Sequence, residues 1–410
     1  MTGQRPETGR WDRTVCVAGT GLGFAATQVL ILSRGFYGRT VADIFFSLLL
    51  AGSAFVFLRM PDRKLFWRLA LTTCALIACQ TLFLRVRVTF FSAAAVLGLS
   101  SILLLALRYI WSEDEQRKLH FQAFLAPMLL VLLAYVSPGP MDATNHQHPR
   151  TFDLPLLAFD AGLGVQLSYE VGQLVLRWHW LTRIAIFFYF VLPLALMFIY
   201  AQRLRAHGKA AVTVFLAIFI AGPLGIIFYN LLPACGPIYL AGAKFPFAPL
   251  SISQVRELLI QPVSVQGMRN AFPSLHMAWA LLAWWCSEGL SWRIRSLMLL
   301  LVAGTVLATL GLGEHYFVDL VAAFPFALMI ISGCALQVAW SDRRRSVTLF
   351  SGLLMMLGWV VLLRFWLRVI WLSILIPWAF VVATIVSCVL LEPCLRSATA
   401  QFEKRATPAA

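Results

Sequence analysis

The stretch PSLHMAWALLAWWCSEGLSWRIRSLMLLLVAGTVLATLGLGEHYFVD (273–319) decides how this chain is read. It opens on PSLH, runs through two apolar segments, and closes on GEHYFVD. Two of the chain's seven histidines, His276 and His315, and one aspartate, Asp319, thus fall at matching ends of neighbouring apolar segments. An ionisable side chain is costly inside a bilayer, so such groups are functional candidates by default. His315 and Asp319 are one helical turn apart and share a face. That spacing lets Asp319 accept a hydrogen bond from one ring nitrogen of His315, leaving the other unprotonated. Pro273 and Ser274 mark a helix start, where free N–H groups form an anion site with His276 in the first turn.

Working outward, the composition is 60% hydrophobic and 12% charged, which excludes an ordinary soluble protein. Apolar windows of about 18 residues recur. The expected class is an all-α polytopic membrane protein of about twelve spans, near 14–32, 41–59, 66–84, 88–107, 121–137, 181–202, 210–232, 274–288, 294–313, 315–338, 346–363 and 369–391. A porin-type barrel would alternate over short segments instead. The net charge of +15 does not point to nucleic acid. The strongest basic clusters, at 59–68, 203–209 and 343–345, alternate with the spans and fall on one side, as the positive-inside rule requires. Both termini are then cytoplasmic, and PSLH and GEHYFVD face the extracytoplasmic side. The first span reads as a retained anchor without a cleavage site. The eight cysteines include no CxxC pair and mostly sit in apolar runs, as buried thiols do.

Two long connections are expected on the outer side. The first, 137–180, contains TFDLPLLAFDAGLG (151–164) and is expected to form short amphipathic helices in the membrane interface. The second, 233–273, begins with PACGPIY (233–239), whose Pro and Gly break a helix, and offers another surface helix over 247–260. The last 15 residues or so read as a loose tail.

FPSLH followed some 40 residues later by HYxxD resembles the membrane-bound type 2 phosphatidic acid phosphatase superfamily. PSLH rather than PSGH, together with PACGPIY, is most similar to its inositol phosphorylceramide synthase-like branch. The resemblance covers roughly 120–340, which divides the chain into an accessory region (1–118), a six-span catalytic core (119–340) and a C-terminal two-span region with a tail (341–410). It implies phosphoryl transfer without metal or cofactor through a phosphohistidine. His315 would attack phosphorus, Asp319 would orient it, and His276 would protonate the leaving oxygen. Zinc on two His and one Asp lacks a third-His signal. Ser274 and nearby N–H groups fit the phosphate by position.

The sequence departs from the wider superfamily in lacking its basic first motif, and Ala308 and Thr309 stand where a Ser-Arg pair is usual. The phosphate cation then falls first to Arg269, which enters the PSLH helix. Lys244 and Arg256 are the other cations of that loop. Tyr229, Asn230 and Tyr239 are candidate donors to phosphate or headgroup. Tyr316 is expected to pack at the interface and His146, His148 and His179 to be solvated, while Asp153 and Asp160 are minor candidates for contact with a polyol acceptor. The expected function is a lipid phosphotransferase at the outer leaflet of a bacterial inner membrane. Its partners would be a phospholipid or lipid phosphate donor and a lipid, polyol or sugar hydroxyl. Hydrolysis to water is the alternative. A transporter or scramblase would show inverted repeats and broken midplane helices.

Overall fold

The computed structural model describes residues 63–83, 90–113, 117, 120–121, 138–206, 210–258 and 261–406. Among these, every regular element is a helix, and one isolated bridge pairs Thr151 with Val263. The chain divides into two compact units, Met1–Pro138 and Gly139–Ala410. In the first, α1 (Arg63–Phe83) packs on α2 (Phe90–Trp111).

The second unit carries the chemistry. Its helices are α3 (Pro138–Gln147), α4 (Asp153–Gly162), α5 (Leu167–Arg177), α6 (His179–Ala206), α7 (Ala210–Leu231) and α8 (Pro237–Ala241). There follow α9 (Ile252–Glu257), α10 (Leu275–Cys286), α11 (Trp292–Gly311), α12 (Phe317–Cys334), α13 (Arg343–Phe365) and α14 (Leu375–Ala406). At its centre stands α12, 78% buried over its apolar window, against α4, α7, α10, α13 and α14. Glycines let the helices approach closely, as small residues do in membranes. A Cβ at Gly352 of α13 would lie 2.9 Å from the main chain of α12, and one at Gly304 of α11 would lie 2.2 Å from the Phe188 ring of α6. Phe187, Leu300, Leu354 and Leu390 face outward, as lipid contact allows.

Seven described helices are long and apolar enough to cross a bilayer, and Val96–Trp111 and Leu275–Cys286 are shorter apolar helices. The expected spans 14–32 and 41–59 and nearly all of 121–137 lie outside the described residues. The expected span 274–288 is α10, an apolar helix of 12 residues, shorter than those seven. It is held inside the bundle by α6, α7, α11 and α12.

Three loop expectations are corrected. Instead of lying in an interface, α4 is buried from Pro155 to Gly162, because α9, α12 and α13 pack around it. The surface helix expected over 247–260 is confined to α9, opened by a Ser251–Gln254 capping box. The C-terminal stretch is helical through Ala406 rather than loose. At the end of the bundle away from the histidines, Glu288 pairs with Arg295 (2.6 Å) and Arg396 (2.8 Å), which ties α14 to the end of α10.

Candidate active site

The two motifs meet through the main chain before any side chain is considered. Ser274 caps α10, its Oγ accepting from Met277 N (3.3 Å), while its own N–H donates to the Asp319 carbonyl (3.1 Å). The start of α10 is thus fixed to the first turn of α12. This brings the rings of His276 and His315 to 6.0 Å between centroids, at one end of the bundle. His276 also lies flat on Tyr189 of α6, at 4.2 Å and 29°. That stacking sets the ring plane of His276.

His315 is nearly buried, 4% exposed. Its Nδ1 donates to the Ala271 carbonyl at 3.0 Å, and Asp319 Oδ2 lies farther off, at 3.5 Å. A carbonyl only accepts, so Nδ1 carries the proton and Nε2 holds the free lone pair. The spacing-based expectation that Asp319 takes the ring hydrogen bond is therefore modified: a main-chain oxygen 44 residues away holds the ring, and the carboxylate stands behind it. Asp319 Oδ2 accepts from Tyr316 N (2.8 Å), and Oδ1 is buried without a partner among the described residues.

The turn that carries His315 is gripped from α4. Asp153 accepts from Gly236 N (2.8 Å), Cys235 N (3.1 Å) and the Tyr316 hydroxyl (3.0 Å). Asp160, two turns on, accepts from Phe317 N (2.7 Å) and Val318 N (3.1 Å), the first free N–H groups of α12. Burial pushes the Asp153 carboxyl up from its ordinary value, against the pull of those hydrogen bonds. Burial likewise raises Asp160 to about 8, opposed by the Phe317 and Val318 N–H groups. Both are buried and support the turn that carries His315, rather than facing outward as candidates for a polyol acceptor. Two acids seven residues apart on an apolar helix were the signal for this, since that spacing puts both on one face. Tyr316 is likewise no interfacial residue. It is fully buried on Asp153.

PACGPIY packs directly under the same turn. Gly236 has φ +119°, and a Cβ there would lie 2.4 Å from the Glu314 carbonyl. Ile238 N donates to the Gly313 carbonyl (3.0 Å), and Thr309, in place of the usual cation, offers its carbonyl to Glu314 N (3.1 Å) and His315 N (3.3 Å).

The remaining candidates separate. Arg269 donates its guanidinium to the carbonyls of His148 (3.1 Å), Pro149 (3.5 Å) and Gly267, which ties two loops together. It is engaged as a tether between these loops. Asn230 donates to Thr144 Oγ1 (2.9 Å) and Ile226 O (2.8 Å) and accepts from His148 Nε2 (3.1 Å), so its amide is used internally and His148 is not simply solvated. Tyr229 is buried in α7, within electrostatic reach of Asp319. Lys244 is exposed on a short 3-10 turn, next to Phe245, whose ring abuts Gly313. Tyr239 donates its hydroxyl to Glu314 (3.3 Å), a residue the sequence reading did not single out. Burial raises the Glu314 carboxyl, with His315 and Tyr239 pulling it back down. Among the described residues, no cluster of three His, Cys, Asp or Glu side chains is arranged to hold a metal ion.

No curated protein and no solved structure gives a match to the chain. Residues 154–333, which carry Asp160, the PACGPIY turn, PSLH and GEHYFVD, match the family model of the PAP2 superfamily.

Proposed function

We propose that this protein is a lipid phosphotransferase that works through a phosphohistidine on His315. The family match favours a lipid phosphatase or phosphotransferase in a membrane setting. The observation that carries the residue-level reading is the pair of imidazoles at 6.0 Å, with the Nδ1 proton of one fixed on a carbonyl. A phosphorus between two such rings meets a lone pair on one side and a proton carrier on the other.

In the first step the Nε2 lone pair of His315 forms a P–N bond. The P–O bond to the diacylglycerol breaks, and His276 gives its proton to the departing oxygen. Asp319, 3.5 Å from Nδ1, offsets the positive charge that the phosphorylated ring acquires. In the second step an acceptor hydroxyl oxygen attacks phosphorus, its proton returns to His276, and the P–N bond breaks. Transfer to a lipid, polyol or sugar hydroxyl gives a new phosphodiester, whereas transfer to water gives free headgroup phosphate. The similarity of PSLH and PACGPIY to the synthase-like branch favours transfer. The alternation of basic clusters along the sequence supports a site on the extracytoplasmic face with both termini in the cytoplasm, and the membrane of this reading is a bacterial inner membrane.

The test uses the full chain in phospholipid vesicles with a labelled phospholipid donor and a hydroxyl acceptor. Diacylglycerol, headgroup phosphate and new phosphodiester are all measured. His315→Ala is expected to abolish all three products, and quenched wild-type protein is expected to carry an acid-labile phosphoramidate. A His315→Ala protein that turns over at the wild-type rate would end this reading.

A further inference from the structure

Glu314 has no part in the scheme above, yet it is the neighbour of the nucleophile in the chain. Its side chain is half-buried. Tyr239 is its hydrogen-bond partner, at 3.3 and 3.5 Å to the two carboxylate oxygens. Among the described residues, no lysine or arginine pairs with it. Tyr189, whose ring lies on His276, and His315 are both within its electrostatic reach. Carboxylate, phenol rings and imidazoles are therefore joined by contacts of Tyr239 with Glu314, of Tyr189 with His276 and of His276 with His315.

An unpaired carboxylate beside a phosphate-handling pair is a handicap for an anionic substrate, since like charges repel strongly where water is scarce. It is an advantage for a substrate that carries a cation next to its phosphorus. A tyrosine face adds to the attraction for an ammonium group. Arg269, the cation expected to offset the phosphate charge, is engaged elsewhere by carbonyls. The local charge balance thus selects a substrate that neutralises itself.

We propose that Glu314, Tyr239 and Tyr189 form a cation subsite that selects a donor with an ammonium headgroup, a phosphodiester of the phosphoethanolamine or phosphocholine type. This rests on the phosphoryl-transfer reading and names its donor class. The ammonium lies at Glu314, the phosphorus faces His315, and the diacylglycerol oxygen departs toward His276 with its proton. The phosphoethanolamine or phosphocholine unit stays on Nε2 until an acceptor takes it.

The test is diacylglycerol release by the full chain in vesicles containing phosphatidylethanolamine, phosphatidylglycerol or phosphatidic acid as labelled donor. For the wild type, kcat/KM is expected to be at least tenfold higher with phosphatidylethanolamine than with either anionic donor. Glu314→Gln should cut that ratio at least tenfold, and Glu314→Asp should restore part of it. A wild type that prefers an anionic donor overturns the proposal. So does a Glu314→Gln protein slowed by the same factor on every donor, since the carboxylate then serves the transfer step rather than the headgroup. Should the wild type release diacylglycerol from none, the phosphoryl-transfer reading fails, and the subsite is judged by binding alone. Native mass spectrometry is then expected to show phosphatidylethanolamine retained over phosphatidylglycerol by the wild type but not by Glu314→Gln. Equal retention by the two proteins overturns the subsite.

Discussion

Replacing Gly236 by alanine tests whether the PACGPIY turn positions His315, the nucleophile proposed above. The new Cβ would stand 2.4 Å from the Glu314 carbonyl oxygen and 2.9 Å from its carbon, where ordinary contact begins at 3.4 Å. Both atoms are main chain, so no side chain can swing aside, and the turn must yield by about 1 Å to restore contact. Displacement of a reacting group by that amount costs about 100-fold in rate. The backbone adds its own cost, since φ +119° is a region that non-glycine residues occupy at about 1–3 kcal/mol. Gly242 supplies the matched control: its φ is +57°, and a Cβ there meets nothing within 4 Å. Gly242→Ala carries backbone strain without collision and is expected to keep kcat within about threefold of wild type, well under the cost of the ~1 Å shift. The assay is diacylglycerol release by both variants, with thermal unfolding followed in parallel. Full activity in a folded Gly236→Ala protein, or equal loss in both variants, would refute the idea that this turn seats His315.

Arg269→Ala should lower stability by about 1 kcal/mol or more, since it removes a guanidinium that ties together part-buried loop carbonyls. It should also leave KM for the donor within about threefold, because 1.4 kcal/mol of lost donor binding would already be tenfold. A tenfold rise in KM with unchanged stability would return Arg269 to the phosphate. Asp160 gives a pH dependence with a definite sign. Its carboxyl is raised to about 8 in the fold from an ordinary 3.8, so between these values the folded chain holds a proton that the unfolded chain has released. Stability should fall as pH rises through that window and level off above it. Unfolding midpoints at pH 5, 7 and 9 should show this slope in the wild type and a reduced one in Asp160→Asn. A wild type that gains stability over the same range would contradict the burial of this group.

The sequence by itself determined the class, the two helix starts and the three ionisable residues that meet. Those features are written in local order: a run of apolar residues long enough for a bilayer, a Pro-Ser cap, a His and an Asp one turn apart. Periodicity says which residues share a face of their own helix, and it says so before any folding. What that face touches was decided by the tertiary structure. The Ala271 carbonyl rather than Asp319 accepts the His315 Nδ1 hydrogen bond, Asp153 and Asp160 turn inward to hold the turn that carries His315, and Arg269 spends its donors on loop carbonyls. Each partner lies far along the chain, 44 residues for His315 and 163 for Tyr316. Main-chain carbonyls and N–H groups are the same at every position and leave no mark in composition or spacing. Which of them a side chain meets is fixed only when the helices pack, because packing alone chooses among donors and acceptors that the sequence makes alike.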